Sequence, residues 1–368
     1  MTESNSWEGL RQFRVDRKTP ESDAITSFYL VPVDGGSIAA YLPGQFLGFK
    51  LNVPGQSDPV RRTYTISEKS GVASYYRLSI KREPAPADRP DVPPGVSSNY
   101  FHDDVVEGSV IDVRAPRGDF HLDVESRRPV VLLSGGVGLT PMISMLGHIC
   151  EENRPRDVWF IHGARNGREH AFGDYVRGLA VSHPNVNIRI LYSQPDGSDR
   201  PGADFDRAGR VTTEYLKENL PGHDFDFYLC GPTAFMKDLY DGIRSWGVPG
   251  SAIHYEFFGP DQSLAELTDG AGREPAVEME SAKAFDVTFS RSGISAAWNG
   301  LSDSILELAE GAGLNPDSSC RSGNCHTCLC TVKSGTFEYI HDDIFEPDGE
   351  DEILICSARP TSDLEIDL

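Results

Sequence analysis

The stretch LLSGGVGLTPMISML, residues 132–146, decides the fold of this chain. A run of apolar residues ends at Gly135, Gly136 and Gly138, and an apolar helical pattern with Pro141 in its first turn follows. Proline suits that turn, where its missing N–H costs nothing. Glycines between a strand and a helix let the backbone approach a pyrophosphate, and the helix N-terminus favours an anion. Tight packing alone would also explain the glycines, but the flanking strand and helix favour a dinucleotide-binding turn.

The residues that follow repeat a rhythm of buried strands and helices. Three further apolar runs, DVWFIHGAR, NVNIRILYSQ and FDFYLCGP, are typical of buried strands, and helical stretches lie between them. This alternation predicts a parallel sheet with helices on both faces. The segment YLCGPTAFM, residues 228–236, places a second glycine turn after a later strand. Because such turns lie at the carboxyl ends of parallel strands, the two together predict a crevice for a dinucleotide.

The residues before this sheet, from about Phe13 to Val124, have a different pattern. Polar and apolar residues alternate in short runs that Gly and Pro interrupt, which predicts an antiparallel barrel or sandwich. One run, RRTYTIS, places Arg62 and Tyr64 on one face of a strand and Thr65 on the other. An arginine suits a phosphate, and a tyrosine ring suits stacking on a flat heterocycle. The later segment PPGVSSNYFHD adds glycine and serine at a helix start, which also suits a phosphate.

Four of the chain's seven cysteines lie close together in the segment CRSGNCHTCLC. Three of them have the C-x4-C-x2-C spacing of a plant-type [2Fe–2S] site, namely Cys320, Cys325 and Cys328. Such a site needs a fourth cysteine further on, and Cys356 is the only candidate beyond this segment. Cys330 falls outside the spacing and is expected to be a small core residue. A zinc site would more often show two short Cys or His pairs, so His326 is expected to be a loop residue.

Composition and charge exclude several classes of function. The chain has 368 residues, enough for two or three domains, and its formal net charge of −22 disfavours nucleic acid, whose phosphates it would repel. No apolar run approaches the ~20 residues that cross a bilayer, and the N-terminus lacks the apolar core of a secretory signal. The sequence therefore predicts a cytoplasmic protein, a setting that disfavours structural disulfides.

The C-terminal quarter of the chain is strongly acidic. Residues 261–282 are polar and small and contain glycines, which suits a linker. From Lys283 to Leu368 the chain has 5 Lys and Arg against 16 Asp and Glu, so half of the net negative charge lies there. A solvated surface would explain this charge, and so would an acidic docking face for a basic partner.

These motifs together resemble a known family. Residues from about Ser6 to Pro260 are similar to the ferredoxin–NADP reductase superfamily, and most to the reductase portion of flavohemoglobins. The segments that carry the resemblance include YLPGQFLGFKL, RRTYTIS, GVSSNYFHD, GGVGLTPMISML, YLCGPTAFM and HYEFFGP, in the family's order. Residues from about Lys283 to Leu368 resemble a plant-type ferredoxin domain. Flavohemoglobins carry a globin domain before the barrel, whereas about a dozen residues precede it here, so haem chemistry is not expected to transfer.

The resemblance implies three domains. The first is an antiparallel Greek-key β-barrel for the flavin over residues 1–126. An α/β domain with a parallel sheet for the nicotinamide dinucleotide follows over residues 127–262. After a linker at residues 263–282, an α+β ferredoxin domain of the β-grasp type occupies residues 283–368. The implied cofactors are FAD, with FMN as the alternative, a [2Fe–2S] cluster, and NADH or NADPH as the co-substrate.

The same resemblance implies roles for individual residues. Arg62 is expected to hold the flavin pyrophosphate, Tyr64 to stack on the isoalloxazine ring, and Thr65 to hydrogen-bond near its N5 atom. Further flavin contacts are expected from Ile80, Lys81, Gly95, Val96, Ser97, Ser98 and Phe258. The dinucleotide is expected to bind Gly136, Gly138, Leu139, Thr140, Cys230, Gly231 and Pro232. The expected catalytic residues are Tyr64, Thr65, Cys230 and Glu256, and the expected cluster ligands are Cys320, Cys325, Cys328 and Cys356.

The choice between NADH and NADPH depends on the loop HGARNGREHAF. Arg165 and Arg168 in this loop would suit the 2′-phosphate of NADPH, and a solvated loop is the alternative interpretation. Flavohemoglobin reductases with similar loops favour NADH, so the resemblance slightly favours NADH.

The order of the three domains matches reductases that serve Rieske-type and other oxygenases, desaturases or hybrid-cluster proteins. It predicts an NAD(P)H-dependent oxidoreductase that passes electrons through FAD and a [2Fe–2S] cluster to a partner protein. The expected partner is an oxygenase component that docks near the acidic ferredoxin domain, and no nucleic acid or membrane partner is expected. The alternatives are a non-catalytic electron-transfer subunit of a larger complex, as in dihydroorotate dehydrogenase, a redox-sensing module, and a self-sufficient oxidase, for which the sequence shows no haem or substrate pocket.

Overall fold

The computed structural model describes residues 6–57, 59–71, 74–85, 93–151, 156–258, 285–300, 302–318, 321, 323, 326–340, 344, 347 and 349–368. The chain divides into two compact units, Met1–Phe258 and Gly259–Leu368. The predicted linker at residues 263–282 lies outside the described residues. The predicted domain bounds therefore stay a prediction.

The first unit begins with a closed antiparallel barrel. Its elements are β1 (Arg11–Pro20), β2 (Ile25–Pro32), β3 (Phe46–Leu51), β4 (Val60–Thr65), β5 (Tyr76–Lys81), α1 (Val96–Asp103) and β6 (Val110–Arg117). The sheet order is β4-β3-β6-β1-β2-β5, and an antiparallel bridge between Ile66 and Leu78 joins the two edges. The order β6-β3-β4-β5 is a Greek key, so the predicted antiparallel Greek-key barrel is confirmed.

The core of the barrel is formed by alternate side chains of its strands. Phe13 and Val15 of β1 are fully buried, whereas Arg14 and Asp16 beside them are exposed and pair with each other at 3.1 Å. This alternation follows from the period of two in a strand, which sends every second side chain inward. Helix α1 covers one side of the core with Phe101, which is fully buried.

The second half of the first unit is a parallel sheet between two helical layers. Its elements are β7 (Val130–Gly135), α2 (Leu139–Glu151), β8 (Val158–Ala164), α3 (Gly173–Ser182), β9 (Val186–Tyr192), β10 (Arg207–Ala208), α4 (Thr213–Asn219), β11 (Asp226–Cys230), α5 (Thr233–Ser245) and β12 (Ile253–Glu256). The order is β10-β9-β8-β7-β11-β12, and every neighbouring pair is parallel. One apolar core joins the sheet to α2 and α3 and another joins it to α4 and α5, as the sequence predicts.

The direction of the chain across this sheet reverses at its centre. From β7 the chain moves outward through β8 and β9 to β10, and then returns to β11 on the other side of β7. In open parallel sheets, ligands bind outside the carboxyl ends of the strands at such a switch point. The loops that follow β7 and β11 are therefore the candidate ligand-binding loops of this sheet.

Among its described residues, the second unit has a small mixed sheet and one α-helix. Its elements are β13 (Phe285–Phe289), β14 (Ile294–Trp298), α6 (Ile305–Gly311), β15 (Leu329–Ser334), β16 (Phe337–Tyr339), β17 (Glu352–Leu354), β18 (Ala358–Pro360) and β19 (Leu364–Ile366). The main sheet has the order β14-β13-β19-β15-β17, and β16 pairs with β18 separately. The predicted small α+β domain is confirmed.

Two side-chain hydrogen bonds at its N-terminus fix the point where helix α6 begins. The hydroxyl of Ser304 accepts a hydrogen bond from the backbone N–H of Glu307 at 3.3 Å, and the Glu307 carboxylate accepts one from the N–H of Asp303 at 2.7 Å. The first bond satisfies an N–H group that the first turn leaves without a partner, and the second ties the residue before the N-cap to the helix. Throughout the described residues, no helix combines the length and apolar character that crossing a membrane requires.

Candidate functional site

Strand β4 carries three of the predicted site residues on the wall of the barrel. The Tyr64 ring packs edge-on against Phe49 and Phe101, at centroid distances of 5.8 Å and 5.2 Å. The Tyr64 hydroxyl lies 3.0 Å from the hydroxyl of Ser97 on α1, to which it donates a hydrogen bond. Burial raises the pKa of Tyr64 to about 12, so the phenol stays protonated at neutral pH. Thr65, the next residue, is 6% exposed.

Arg62 places a positive charge on the same strand, two residues before Tyr64. Its guanidinium donates one hydrogen bond, from Nη1 to the carbonyl oxygen of Arg61 at 2.7 Å. Within the described residues, no acidic side chain pairs with it. A half-buried guanidinium in this state suits a phosphate, whose geometry it matches.

The start of α1 forms a second anion-favouring feature beside Tyr64. Gly95 is the N-cap residue, and no side chain caps the helix there. A Cβ atom on Gly95 would lie 2.8 Å from the Ser98 hydroxyl, so a larger residue there would require this hydroxyl to move. Its N–H donates to the carbonyl oxygen of Glu83 at 2.9 Å, which fixes the turn to the segment after β5. Ser97 and Ser98 are buried and Val96 is exposed, so the first-turn N–H groups are positioned for an anion.

Two other predicted flavin residues lie on β5. The Ile80 side chain is 1% exposed in the barrel core, and its carbonyl oxygen lies 2.9 Å from His102 Nε2. Lys81 lies closer to solvent, with its ammonium 2.9 Å from a Glu83 carboxylate oxygen. Ile80 can therefore offer a ligand only its backbone, and the charge of Lys81 is shared with Glu83.

The two glycine turns of the parallel sheet meet backbone to backbone. Strands β7 and β11 are neighbours, and a Cβ atom on Gly138 would lie 2.2 Å from the carbonyl oxygen of Cys230. Gly136 differs, because it has a φ of 55° and a Cβ atom there would meet nothing within 4 Å. Both explanations of the glycine-rich turn therefore apply. Gly138 is required by packing, and Gly136 leaves open backbone that a ligand can approach.

The residues after this turn offer backbone groups rather than side chains. Leu139 is 1% exposed and belongs to the apolar core. The Thr140 hydroxyl donates to the carbonyl oxygen of Val137 at 3.2 Å. The predicted contacts at these two residues therefore depend on N–H groups at the start of α2, where the helix dipole favours an anion.

The second turn places a buried thiol beside a carboxylate. Cys230 is fully buried, and it pairs with Glu256 between β11 and β12. Burial and the nearby Glu256 charge raise the pKa of the Cys230 thiol far above its usual range, so it stays neutral. Pro232 is the N-cap residue of α5, after Gly231. Phe258, two residues beyond Glu256, is 39% exposed and leaves an aromatic face accessible.

The barrel motif and the glycine turn are brought together within the first unit. The turn at residues 136–138 lies against β5 of the barrel. Beyond β4, the carbonyl oxygen of Glu68 accepts hydrogen bonds from Tyr41 at 3.0 Å and from Ser144 of α2 at 2.7 Å. Sequence reasoning missed Glu68 and Ser144, because no local pattern links residues so far apart in the chain.

The loop after β8 carries the two arginines that bear on nucleotide choice. Arg165 Nε donates to Gln194 Oε1 at 3.0 Å, and its Nη1 lies 3.8 Å from Glu169. Arg168 Nε lies 3.3 Å from an Asp196 carboxylate oxygen. Both guanidiniums are thus engaged with side chains of the protein.

Asp196 and Asp199, on the loop after β9, add negative charge beside the loop of Arg165 and Arg168. Asp199 accepts a hydrogen bond from the N–H of Gly167 at 3.1 Å, and a Cβ atom on Gly167 would lie 2.5 Å from that carboxylate. Hydrogen bonds from Ser198 hold the pKa of Asp196 below its usual range, so Asp196 is ionised at neutral pH. Sequence reasoning missed these two carboxylates, which lie far along the chain from the arginines.

In the second unit, two of the predicted cluster ligands are neighbours. Cys328 is 3% exposed and Cys356 is 6% exposed, and the N–H of Ile355 donates to the carbonyl oxygen of Cys328 at 3.4 Å. A Cβ atom on Gly323, which has a φ of 73°, would lie 2.9 Å from the Ser357 hydroxyl. The loop before Cys328 therefore packs on the turn that holds Cys356. Cys320 and Cys325 lie outside the described residues.

Two residues of the loop before Cys328 have an unusual backbone conformation. Arg321 and His326 have φ angles of 52° and 60°, in the left-handed region that favours glycine. His326 is buried, as part of the loop. Cys330 lies within β15 opposite Ile353 and packs against the apolar core of the unit. Cys328 and Cys356 fit an iron–sulfur cluster as two of its ligands, because both thiols are buried and their backbone segments are hydrogen-bonded to each other.

Models of three families match the chain in succession. They are the oxidoreductase FAD-binding domain at residues 12–122, the oxidoreductase NAD-binding domain at residues 132–241 and the 2Fe–2S iron–sulfur cluster binding domain at residues 291–361. FAD, a nicotinamide dinucleotide and a [2Fe–2S] cluster are thus the cofactors of these domains.

Relatives cover the chain to different extents. A flavohemoprotein of Bacillus cereus is 43% identical over 258 residues, which are 70% of this chain and 63% of that protein. The flavohem-like FAD/NAD-binding domain of a nitric oxide dioxygenase from Vibrio cholerae is 36% identical, with a TM-score of 0.60 over 69% of this chain and 100% of that one. A phthalate dioxygenase reductase is 26% identical, with a TM-score of 0.57 over 98% of both chains.

Proposed function

Because the chain belongs to the ferredoxin–NADP reductase superfamily, with a flavohemoprotein-like FAD/NAD-binding module and a C-terminal [2Fe–2S] domain, we propose that it passes electrons from NADH to a partner protein. The chain is an NAD(P)H-dependent oxidoreductase. The observation that carries the proposal is the dinucleotide turn at residues 136–138, which lies against the barrel strand β5.

The residues fit the groups they would hold. Arg62 and the uncapped start of α1 would bind the flavin pyrophosphate, and the rings of Tyr64 and Phe258 would face its flat ring system. Gly136 and the start of α2 would bind the dinucleotide phosphates. When bound, the flavin converts the paired electrons of a nicotinamide into the single electrons that a [2Fe–2S] cluster accepts.

The side chains around these groups bind and orient them rather than exchange protons. Tyr64 has a pKa of about 12 and keeps its proton as a hydrogen-bond donor to Ser97. The buried Cys230 thiol is neutral for the same reason of desolvation. The proposed catalytic contribution of Tyr64, Thr65, Cys230 and Glu256 is therefore positioning and electrostatic tuning.

The charge of the loops after β8 and β9 supports NADH over NADPH. Arg165 pairs with Glu169, and Arg168 pairs with Asp196. A third carboxylate, that of Asp199, accepts a hydrogen bond from the N–H of Gly167 between the two arginines, so these five side chains together carry a net negative charge. The 2′-phosphate of NADPH carries nearly two negative charges and would be repelled there. A unit charge at 4 Å is worth about 1 kcal/mol even in water, so we expect NADH to be preferred by about tenfold or more.

Anaerobic titration with each nucleotide tests this function. The oxidised protein is expected to show flavin bands together with the broad reddish absorption of an iron–sulfur cluster. NADH should bleach both the flavin and the cluster absorption, and its second-order rate constant should be about tenfold above that of NADPH. The measurement is the visible spectrum after each addition, combined with stopped-flow rates at limiting nucleotide.

Each part of the proposal fails in its own way. Flavin bands without the broad absorption would contradict the cluster, and no bleaching by either nucleotide would contradict the reductase. Faster bleaching by NADPH would contradict only the nucleotide preference.

We further propose that the partner is an oxygenase component that docks beside the cluster residues. The reductase that matches 98% of the chain is named for a phthalate dioxygenase, which supports an oxygenase as the electron acceptor. Exposed carboxylates flank both cysteine segments, with Asp317 before the loop of Cys328 and with Glu350 and Asp351 before the turn of Cys356. Charge so near an electron-exit point suits a basic partner surface.

Salt dependence tests the docking proposal. Reduction of cytochrome c, used as a basic one-electron acceptor protein, is expected to slow roughly tenfold between low and high salt, because screening removes electrostatic steering. Bleaching of the flavin by NADH should change little. The double variant Glu350→Gln, Asp351→Asn should slow cytochrome c reduction at low salt, whereas Asp34→Asn on the barrel should not. Equal rates in both variants would contradict the acidic docking face.

A further inference from the structure

Phe172 has a backbone conformation that is unusual for a bulky residue. It precedes α3 with φ 61° and ψ 16°, in the left-handed region, and it is 8% exposed. This region costs an L-residue free energy relative to ordinary helical backbone, because its Cβ atom lies too close to the following carbonyl oxygen. Such a cost at a buried aromatic residue needs compensation by contacts, and outliers of this kind cluster where alignment matters.

The compensating contact comes from the flavin barrel. Arg77 of β5 is 8% exposed, and its guanidinium carbon lies 4.9 Å from the centre of the Phe172 ring. A cation held over an aromatic face away from water is attracted to the ring, so this contact stabilises the loop at Phe172. Arg77 thus joins the barrel to the end of the loop that follows β8.

Arg77 is itself held beside the flavin motif. Its Nη2 donates to the carbonyl oxygen of Ser67 at 2.5 Å, and its Nε lies 3.7 Å from the Glu68 carboxylate. Glu68 also accepts a hydrogen bond from the Tyr75 hydroxyl at 3.1 Å. Ser67 and Glu68 follow Thr65 closely in the chain, so a shift of Arg77 would act on the end of β4.

The loop of residues 165–172 has a second attachment to the barrel. The N–H of Asp23, between β1 and β2, donates to the carbonyl oxygen of Arg168 at 2.9 Å. On its inner side the loop rests on the parallel sheet, where the His170 ring stacks on His162 and His162 meets Ser134 at 2.9 Å. Ser134 precedes the glycine turn. The loop therefore links the flavin barrel to the dinucleotide turn.

We propose that Arg77 and Phe172 are positioning residues that keep a nicotinamide bound at the glycine turn aligned with a flavin bound on β4 and β5. This inference depends on the proposed function. Arg77 and Phe172 act through the loop of residues 165–172 and the backbone after Thr65. Loss of their contact should let the two halves of the first unit shift by a small amount, and hydride transfer is very sensitive to such shifts.

The test separates alignment from binding and from folding. Phe172→Leu removes the ring but leaves the Arg77–Glu68 ion pair in place, so it serves if Arg77→Met does not fold. Stopped-flow bleaching of the flavin by NADH gives the rate constant at saturation and the apparent Kd. We expect the rate constant per bound flavin to fall about tenfold or more in either variant, with Kd changed less than about twofold.

A matched control lies on the same barrel. The guanidinium carbon of Arg17 lies 3.7 Å from the centre of the Tyr29 ring, so Arg17→Met removes a similar contact. Its rate constant should equal that of the unchanged protein. The inference is overturned if the rate constant is unchanged in Phe172→Leu. It is also overturned if the lower rate is explained by a lower flavin content, or if Arg17→Met lowers the rate constant equally. If NADH does not bleach the unchanged protein, the proposed function fails instead.

Discussion

Replacing Cys356 with serine is expected to remove the iron–sulfur absorption from the visible spectrum, whereas replacing Cys330 with serine should leave it intact. Cys356 is 6% exposed beside Cys328, in the turn on which the loop of Gly323 packs. Cys330 lies within β15 and packs on the apolar core. Because a [2Fe–2S] cluster needs four thiolates, loss of one ligand should eliminate nearly all of the cluster.

Iron content and the electron paramagnetic resonance of the reduced protein check this result. The flavin bands and their bleaching by NADH should survive in Cys356→Ser, because the flavin residues belong to the other compact unit. A full cluster signal in Cys356→Ser would show that the fourth ligand lies elsewhere. If the signal is lost in Cys330→Ser but kept in Cys356→Ser, then Cys330 rather than Cys356 is the fourth ligand.

Replacing Gly138 with alanine is expected to destabilise the first unit strongly and to abolish reduction by NADH. The added Cβ atom would lie 2.2 Å from the Cys230 carbonyl oxygen and 2.7 Å from the Gly231 nitrogen, and both of these are backbone atoms. Backbone in paired parallel strands cannot move aside as a flexible side chain can. The loss in the free energy of unfolding should be about 3 kcal/mol or more, the upper range for overpacking.

Two other glycines form a graded series with Gly138. At Gly136 the added Cβ atom meets nothing within 4 Å, but φ is 55°, so alanine should cost about 1 kcal/mol. At Gly178 in α3 nothing lies within 4 Å and the backbone is helical, so alanine should stabilise by up to about 1 kcal/mol. Urea unfolding and NADH-dependent bleaching measure the series. Unchanged stability in Gly138→Ala would contradict the packing argument.

Most of the architecture follows from local patterns. The alternation around Phe13 and Val15 is visible in the sequence because a strand has a period of two, and the barrel is built from it. The apolar run that ends at Gly135 predicts a buried parallel strand and becomes the central strand β7. Cysteine spacing predicts the cluster segment, because the geometry of a cluster limits the distances between its ligands.

The site was predicted less completely than the fold. Arg62, Tyr64 and the turn at Gly95 are recognisable from residue types, and Tyr64 does meet Ser97 of α1. The sequence could not show that the carboxylate of Asp196 pairs with Arg168. Such pairings depend on the side-chain directions of neighbouring segments, which residue types do not encode.

The sequence by itself determined the three domains, their order and the residue types that suit a flavin, a dinucleotide and an iron–sulfur cluster, because periodicity and spacing are local properties of the chain. Only the tertiary structure shows that Gly138 must be glycine because of the Cys230 carbonyl, that Asp196 meets Arg168, and that Arg77 meets Phe172. These contacts join residues distant in the chain. They arise when loops and strands pack within the parallel sheet and when the barrel packs on it, and packing depends on the shape of whole surfaces rather than on any short segment.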